Sequence, residues 1–257
     1  MRTILAASAL PCLLAFAAVQ KPNAFKIETD DGYTIAGDLA VPKRKEGKAP
    51  LVIFIHDAEG KRAPFAEPAN KFFRAGFATV TFDLRGHGES TKGKNGRDIE
   101  IKDELFKSMR RDLAAVLKHC GDQAGVDTDS LVLIGAGFGA TLALKHASND
   151  EAAKAVIVLS PLLADSRTKD DNSKPIEKLA AKPVMVVTGK YPDDKENATR
   201  LEFYAKQKGG KLEIKNLPID NRGADLFTAR ATLADEMLSW VKKNAIDPAK
   251  KPEPPKK

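Results

Sequence analysis

Cysteine is almost missing from this chain: Cys12 and Cys120 are the only two in 257 residues. Cys12 lies inside an N-terminal apolar run, and once that run is removed Cys120 stands alone. No intramolecular disulfide can then form even in an oxidising compartment, so stability has to come from a core. Long apolar runs are scarce too. The one candidate, Ile4 to Val19 after Arg2, falls short of the roughly 20 residues that span a bilayer. With Ala15-Phe16-Ala17 as a small-x-small cleavage pattern, residues 1–20 read as a secretory signal peptide, which makes the protein secreted or periplasmic. The rival is an uncleaved membrane anchor. Lipid attachment at Cys12 fits poorly, because Leu10 and Pro11 stand where a lipoprotein signal carries small residues.

A dominant charge is also lacking over most of the length. Lys and Arg number 42 against 35 Asp and Glu, a net charge of +7, and residues 242–257 supply +4 of it through six lysines against one Asp and one Glu. The remaining body is nearly balanced and offers no electrostatic footprint for nucleic acid. Disorder and a collagen-like fibre are excluded by 42% hydrophobic and 30% charged residues, with only 6% aromatics. No repeat and no interior linker breaks the chain, so residues 21–246 read as one domain. Residues 247–257 hold four prolines and four lysines and no apolar face, which predicts a basic, disordered tail. Weak electrostatic contact of that tail with an acidic envelope surface is its functional expectation.

Short apolar runs recur between these ends: Phe25 to Thr29, Thr34 to Val41, Leu51 to His56, Ala78 to Leu84, Leu131 to Gly135, Ala155 to Leu159, Val184 to Thr188 and Lys211 to Leu217. The first two alternate apolar and polar residues around Asp30-Asp31-Gly32 and predict an antiparallel hairpin with one wet face. LVIFIH, LVLIG, AVIVL and VMVV are apolar on both faces, as strands of a helix-covered parallel sheet are. Helices are predicted over Asp103 to Cys120, with the stripe Leu105, Met109, Leu113, Val116 and Cys120, and over Gly139 to Ser148, Glu196 to Gln207 and Ala224 to Asn244. The fold class is therefore α/β: an eight-stranded, mostly parallel sheet with an N-terminal antiparallel hairpin and helices on both faces.

Ligands of open α/β sheets sit beyond the carboxyl ends of the strands. There the chain carries PLVIFIHDAEG, TFDLRGHGES and LVLIGAGFGATLALKHA. Together these strings resemble the α/β-hydrolase superfamily, in its serine esterase or peptidase-like branch, from about Phe25 to about Asn244. The resemblance implies an oxyanion-hole turn in the first, the strand-four corner in the second and the nucleophile elbow, normally Gly-x-Ser-x-Gly, in the third. It also implies that only Pro161 to Lys182 occupy the place of a lid, so any lid is minimal.

Residue by residue, the chemistry thins out. Gly137 stands where the nucleophile belongs and has no atom to attack with. Matching Pro218 and Gly223 to the family's last corner puts Arg222 in the place of the histidine, and arginine stays protonated and cannot act as general base. The acid position falls on Asp193 or Asp194. Without a histidine to orient, that carboxylate could pair with Arg222. The oxyanion-hole donors implied by the resemblance are backbone groups, the N–H of Phe138 and that of Asp57 or Ala58, and they survive loss of the nucleophile. With Arg222 they form a candidate anion site.

Ser90, Ser160, His56, His87, His119 and His146 each read as structural, and no short ligand motif points to a metal; no cofactor is implied. The expected function is that of an exported, non-catalytic hydrolase homologue that binds a small acyl or carboxylate ligand or serves as a scaffold. The alternatives are an active hydrolase with an unusual nucleophile, or with water activated by Asp57 or Asp193, and an interaction module acting through the basic tail.

Overall fold

Strand β1 (Asn23–Glu28) exposes every other residue, whereas β3 (Ala49–Ile55) and β4 (Ala78–Phe82) are buried along their whole length. That contrast places β1 at a sheet edge and the others at its centre. The computed structural model describes residues 22–179, 181–210 and 212–249. The signal-peptide reading of residues 1–20 and all of the tail from residue 250 onward lie outside the described residues. Strands β2 (Thr34–Ala40), β5 (Val126–Ala136), β6 (Ala153–Leu159), β9 (Val184–Thr188) and β10 (Leu212–Asn216) complete an eight-stranded sheet in the order β1-β2-β4-β3-β5-β6-β9-β10. β2 is antiparallel to both neighbours and the other pairings are parallel. This is the architecture that the resemblance implies.

Helices cover both faces. On one lie α1 (Ala66–Arg74), α7 (Asp225–Ala229) and α8 (Leu233–Asn244), which pack Phe72, Leu226, Met237 and Trp240 against Val52, Phe54, Val132 and Ile134. On the other lie α2 (Asp103–Ser108), α3 (Arg110–Gly121), α4 (Phe138–Ala147), α5 (Ser173–Lys178) and α6 (Pro192–Gln207). Each fully buried Leu, Ile, Val or Phe in these layers contributes about 1.5–3 kcal/mol. Cys120 sits at the inner side of α3, fully buried, and burial pushes its thiol pKa up to about 12.

The helices depart from their predicted limits in four places. The predicted Asp103 to Cys120 helix is two, divided at Met109, whose N–H turns back to the Phe106 carbonyl; the apolar stripe stays inside because Met109 itself is fully buried. Ala224 to Asn244 is likewise two helices, separated at the extended Arg230. Helix α6 starts at Pro192 rather than Glu196, since proline at the first helical position has the right φ and no N–H to lose. Helix α1 had no counterpart in the sequence reading. Its Pro68 obscures the pattern but falls in the first turn, where proline is tolerated. The segment Pro161 to Lys182 holds two two-residue strands, β7 (Ala164–Asp165) and β8 (Asp170–Asp171), together with α5.

Candidate active site

Three glycines let α4 start hard against the sheet. A Cβ on Gly135 would lie 2.3 Å from the Gly139 carbonyl oxygen, and one on Gly139 would lie 2.3 Å from that of Ile55. Between them Gly137 adopts φ 49° and ψ −112°, a backbone conformation that costs other residues on the order of 1–3 kcal/mol. The elbow is therefore intact as a turn.

The space above it is filled from β3. Asp57, in the turn after Ile55, folds its carboxylate over Gly137, so that a Cβ there would lie 2.1 Å from Asp57 Cγ. The Phe138 N–H donates to Asp57 Oδ1 at 2.7 Å and the Ala58 N–H donates to the same oxygen at 2.6 Å. Two backbone donors, one from the helix N-terminus and one from the β3 turn, thus converge on a single anionic oxygen. The sequence offered Asp57 as a backbone donor or, in the alternative of an active hydrolase, as an activator of water, and neither role has its side chain accepting these two N–H groups. Its side chain fills the space over Gly137 and takes both backbone donors together.

His56 sets the shape of this turn. Its Nε2 accepts the Leu84 N–H at 2.9 Å and its Nδ1–H donates to the Asp57 carbonyl at 2.6 Å, a pairing that requires the neutral imidazole. Burial pushes its pKa down to about 4, with His87 adding to the effect and Asp83 and Asp57 opposing it. Because the folded value lies below the ordinary 6.5, the stabilisation is complete above pH 6.5 and is lost as pH falls toward 4, about 3 kcal/mol in all. Denaturant midpoints measured from pH 7 to pH 4 are expected to fall more steeply for the wild type than for His56→Gln. Equal slopes would assign the acid sensitivity to other groups.

On the far side, Arg222 pairs through Nη2 with Asp193 Oδ1, approaches Asp194 Oδ1 with Nε at 3.5 Å and stacks on the Tyr191 ring at 4.1 Å. Both aspartates lie in the first turn of α6. They differ in setting: Asp193 is exposed, whereas Asp194 is 4% exposed and its Oδ2 has no hydrogen-bond partner. Burial holds the Asp194 pKa above the usual carboxylate range, with Ser160 and Arg222 pulling it back. Ser160 follows β6 in a left-handed conformation, φ 45°, unusual for a residue with a side chain. Its hydroxyl accepts the Gly223 N–H at 3.0 Å, tying the end of β6 to the last corner.

Arg167, from the segment between β6 and β9, closes the third side. It pairs with Asp165 at 2.5 Å and lies over the Phe106 and Phe138 rings at 4.8 and 5.5 Å. The hydrogen bond to Asp165 raises its pKa, and the negative charges of Asp57 and Glu59 add to this. The remaining histidines and Ser90 hold other parts of the molecule. Ser90 donates to the Asp83 carbonyl and accepts the Ala36 N–H, and His87 bonds the Arg85 carbonyl. His146 pairs with Asp150 and His119 stacks on Phe25.

Residues 47–206 match the serine aminopeptidase S33 family. Among solved structures, an esterase of Pyrococcus furiosus superposes with a TM-score of 0.68 at 16% identity, covering 88% of this chain and 92% of that one. The acylaminoacyl peptidase of Pyrococcus horikoshii superposes with a TM-score of 0.69 at 13% identity, covering 93% of this chain and 44% of that one. Among curated proteins, an uncharacterized 31.7 kDa protein from the traX-finO intergenic region of Escherichia coli is 34% identical over 112 residues, 43% of this chain and 36% of that protein. The quorum-quenching protein AidA of Acinetobacter baumannii is 28% identical over 117 residues, 45% of this chain and 36% of that protein. The chain thus aligns with about a third of the length of the curated relatives it matches.

Proposed function

This chain belongs to the serine aminopeptidase S33 family of α/β hydrolases, and from that membership we propose that it is an exported, non-catalytic member whose former acyl-transfer site is closed by its own Asp57. One observation carries this reading: the Phe138 and Ala58 N–H groups, the donors that a hydrolase would offer to a developing oxyanion, are both satisfied by Asp57 Oδ1. Gly137 supplies no nucleophile, and Arg222, held by Asp193 and Asp194, supplies no base. A small carboxylate or acyl ligand enters the site only by displacing a tethered carboxylate that bears the same charge. In the resting protein the elbow is a structural joint.

Short p-nitrophenyl esters are expected to show no turnover above a heat-killed control, and acetate or butyrate no saturable binding, with the wild-type protein. Asp57→Ala should uncover saturable carboxylate binding at the same donors. Saturable binding to the wild type, or none to a folded Asp57→Ala, would count against a self-closed site. A second reading has its own support, because the exposed Asp57 carboxylate stands where the family places its nucleophile. Wild-type turnover that Asp57→Asn abolishes would establish an active hydrolase working through Asp57.

A further inference from the structure

The net charge of +7 is gathered in two segments far apart in sequence. Lys43, Arg44, Lys45 and Lys48 against Glu46 give +3, and the six lysines of residues 242–257 against Asp247 and Glu253 give +4. Everything else in the chain sums to zero. The fold brings the first segment against residues 244–249 of the second. Arg44 donates through Nη2 to the Pro248 carbonyl at 2.8 Å and through Nη1 to that of Gly76 at 3.3 Å, and Pro248 is buried. Lys43, Lys45 and Lys48 are exposed, as is Lys154, which lines the same cleft beside residues 244–249. Asp127 and Asp247 also line it and neutralise only part of this charge.

This cleft lies at the amino ends of the parallel strands, opposite the elbow, which closes the carboxyl end of β5. The chain also enters the fold here. Asn23 pairs with Leu39, and Ala40 with Thr79 at the start of β4, so the residues that follow the apolar run Ile4 to Val19 join the sheet at the basic end. Among the described residues no aromatic side chain lines the cleft to stack on bases.

We propose that this basic end is a docking surface for an anionic lipid bilayer, formed by the exposed lysines of the 43–48 loop and Lys154 and supplemented by the lysines that follow Ala249 in sequence. Clustered lysines gain from a negative lipid surface and are screened by salt within a Debye length. On such a surface the elbow faces away from the lipid. Membrane contact here is independent of the elbow chemistry, so either can fail without the other.

The experiment is co-sedimentation of the full chain with vesicles, either pure phosphatidylcholine or with about 30% phosphatidylglycerol, in about 50 mM salt. Binding is expected only with the anionic vesicles, with release in about 500 mM salt. The triple variant Lys43→Gln, Lys45→Gln, Lys48→Gln leaves Arg44 in place and should weaken partitioning by about fivefold or more. Truncation after Ala249 should do the same, and the two changes together should abolish it. Circular dichroism checks that each variant is folded. Equal binding to both vesicle types would assign attachment to the apolar run and overturn the idea. Wild-type-like binding by a folded triple variant would reduce the surface to a tail alone. Retention of soluble polyphosphate without vesicle binding would assign the face to a polymeric anion instead.

Discussion

Gly137→Ser alone is expected to yield a protein that is both inactive and less stable. The new Cβ would fall 2.1 Å from the Asp57 carboxylate, which must swing out and give up its bonds from Phe138 and Ala58. Charged hydrogen bonds contribute about 1.5–3 kcal/mol each, and a non-glycine residue at this φ costs on the order of 1–3 kcal/mol. Part of the loss is recovered by solvation of the freed carboxylate, so a net destabilisation of about 2–4 kcal/mol is expected. Adding Arg222→His should restore little turnover, because the displaced Asp57 carboxylate stays tethered one residue from the Ala58 donor and competes for both donors with a developing oxyanion. Adding Asp57→Gly as well should restore it. Oxyanion donors are worth about 10²–10³ in rate, and the triple variant should exceed the double by that order with p-nitrophenyl acetate. Activity in the double variant equal to that of the triple would show that Asp57 yields the site without cost.

The second large effect lies away from the elbow. Arg85 is fully buried, donates through Nε to Asp112 Oδ1 at 2.7 Å and through its main-chain N–H to Asp112 Oδ2 at 2.9 Å, and Asp112 is buried as well. Its remaining guanidinium nitrogens reach Asp31 at 2.7 and 3.0 Å, with the Tyr33 ring 4.1 Å beneath. The network joins the β1–β2 turn, the strand-four corner and α3. Asp112→Ala strands part of a buried cation and should cost about 3–5 kcal/mol, close to the whole stability of many domains. Replacing the pair, Arg85→Met with Asp112→Leu, should cost less than the single change, because no buried charge is left beside an apolar side chain. Guanidinium midpoints of the three proteins decide this. A double variant as unstable as Asp112→Ala would place the energy in the Asp31 and Tyr33 contacts.

The parallel sheet was legible because its central strands are buried on both faces and therefore read as unbroken apolar runs, as in LVIFIH and LVLIG. Edges and helix ends were less so. Met109 satisfies a helical stripe while breaking the helix, and a periodicity argument sees only the stripe. Pro68 hid α1 because a proline inside a short apolar segment lowers its helical signal whether or not it falls in the first turn. At the site, the glycines around Gly137 announce a strand-to-helix turn, and α4 does start there, while Arg222 lies beside Asp193 and Asp194 as their pairing required. The part played by Asp57 was only half visible. His56-Asp57 stands where the related motif has His-Gly, so the string announces an extra side chain but not its direction. Ser160 read as structural because a serine after a buried strand is ordinary, and only the folded chain reveals its positive φ and its bond from Gly223.

Cys120 gives the molecule an internal clock. Within the described residues it is the one thiol, it faces the sheet from α3, and at a pKa near 12 almost none of it is thiolate at neutral pH. A thiol reagent therefore reaches it only when α3 lifts from the strands beneath. With the N-terminal run gone, the rate at which a disulfide reagent labels the intact protein counts those openings one molecule at a time, with no engineered probe. Variants that loosen the Arg85 network at the start of α3 would be registered by the same atom that an oxidant in the surroundings would find closed to it.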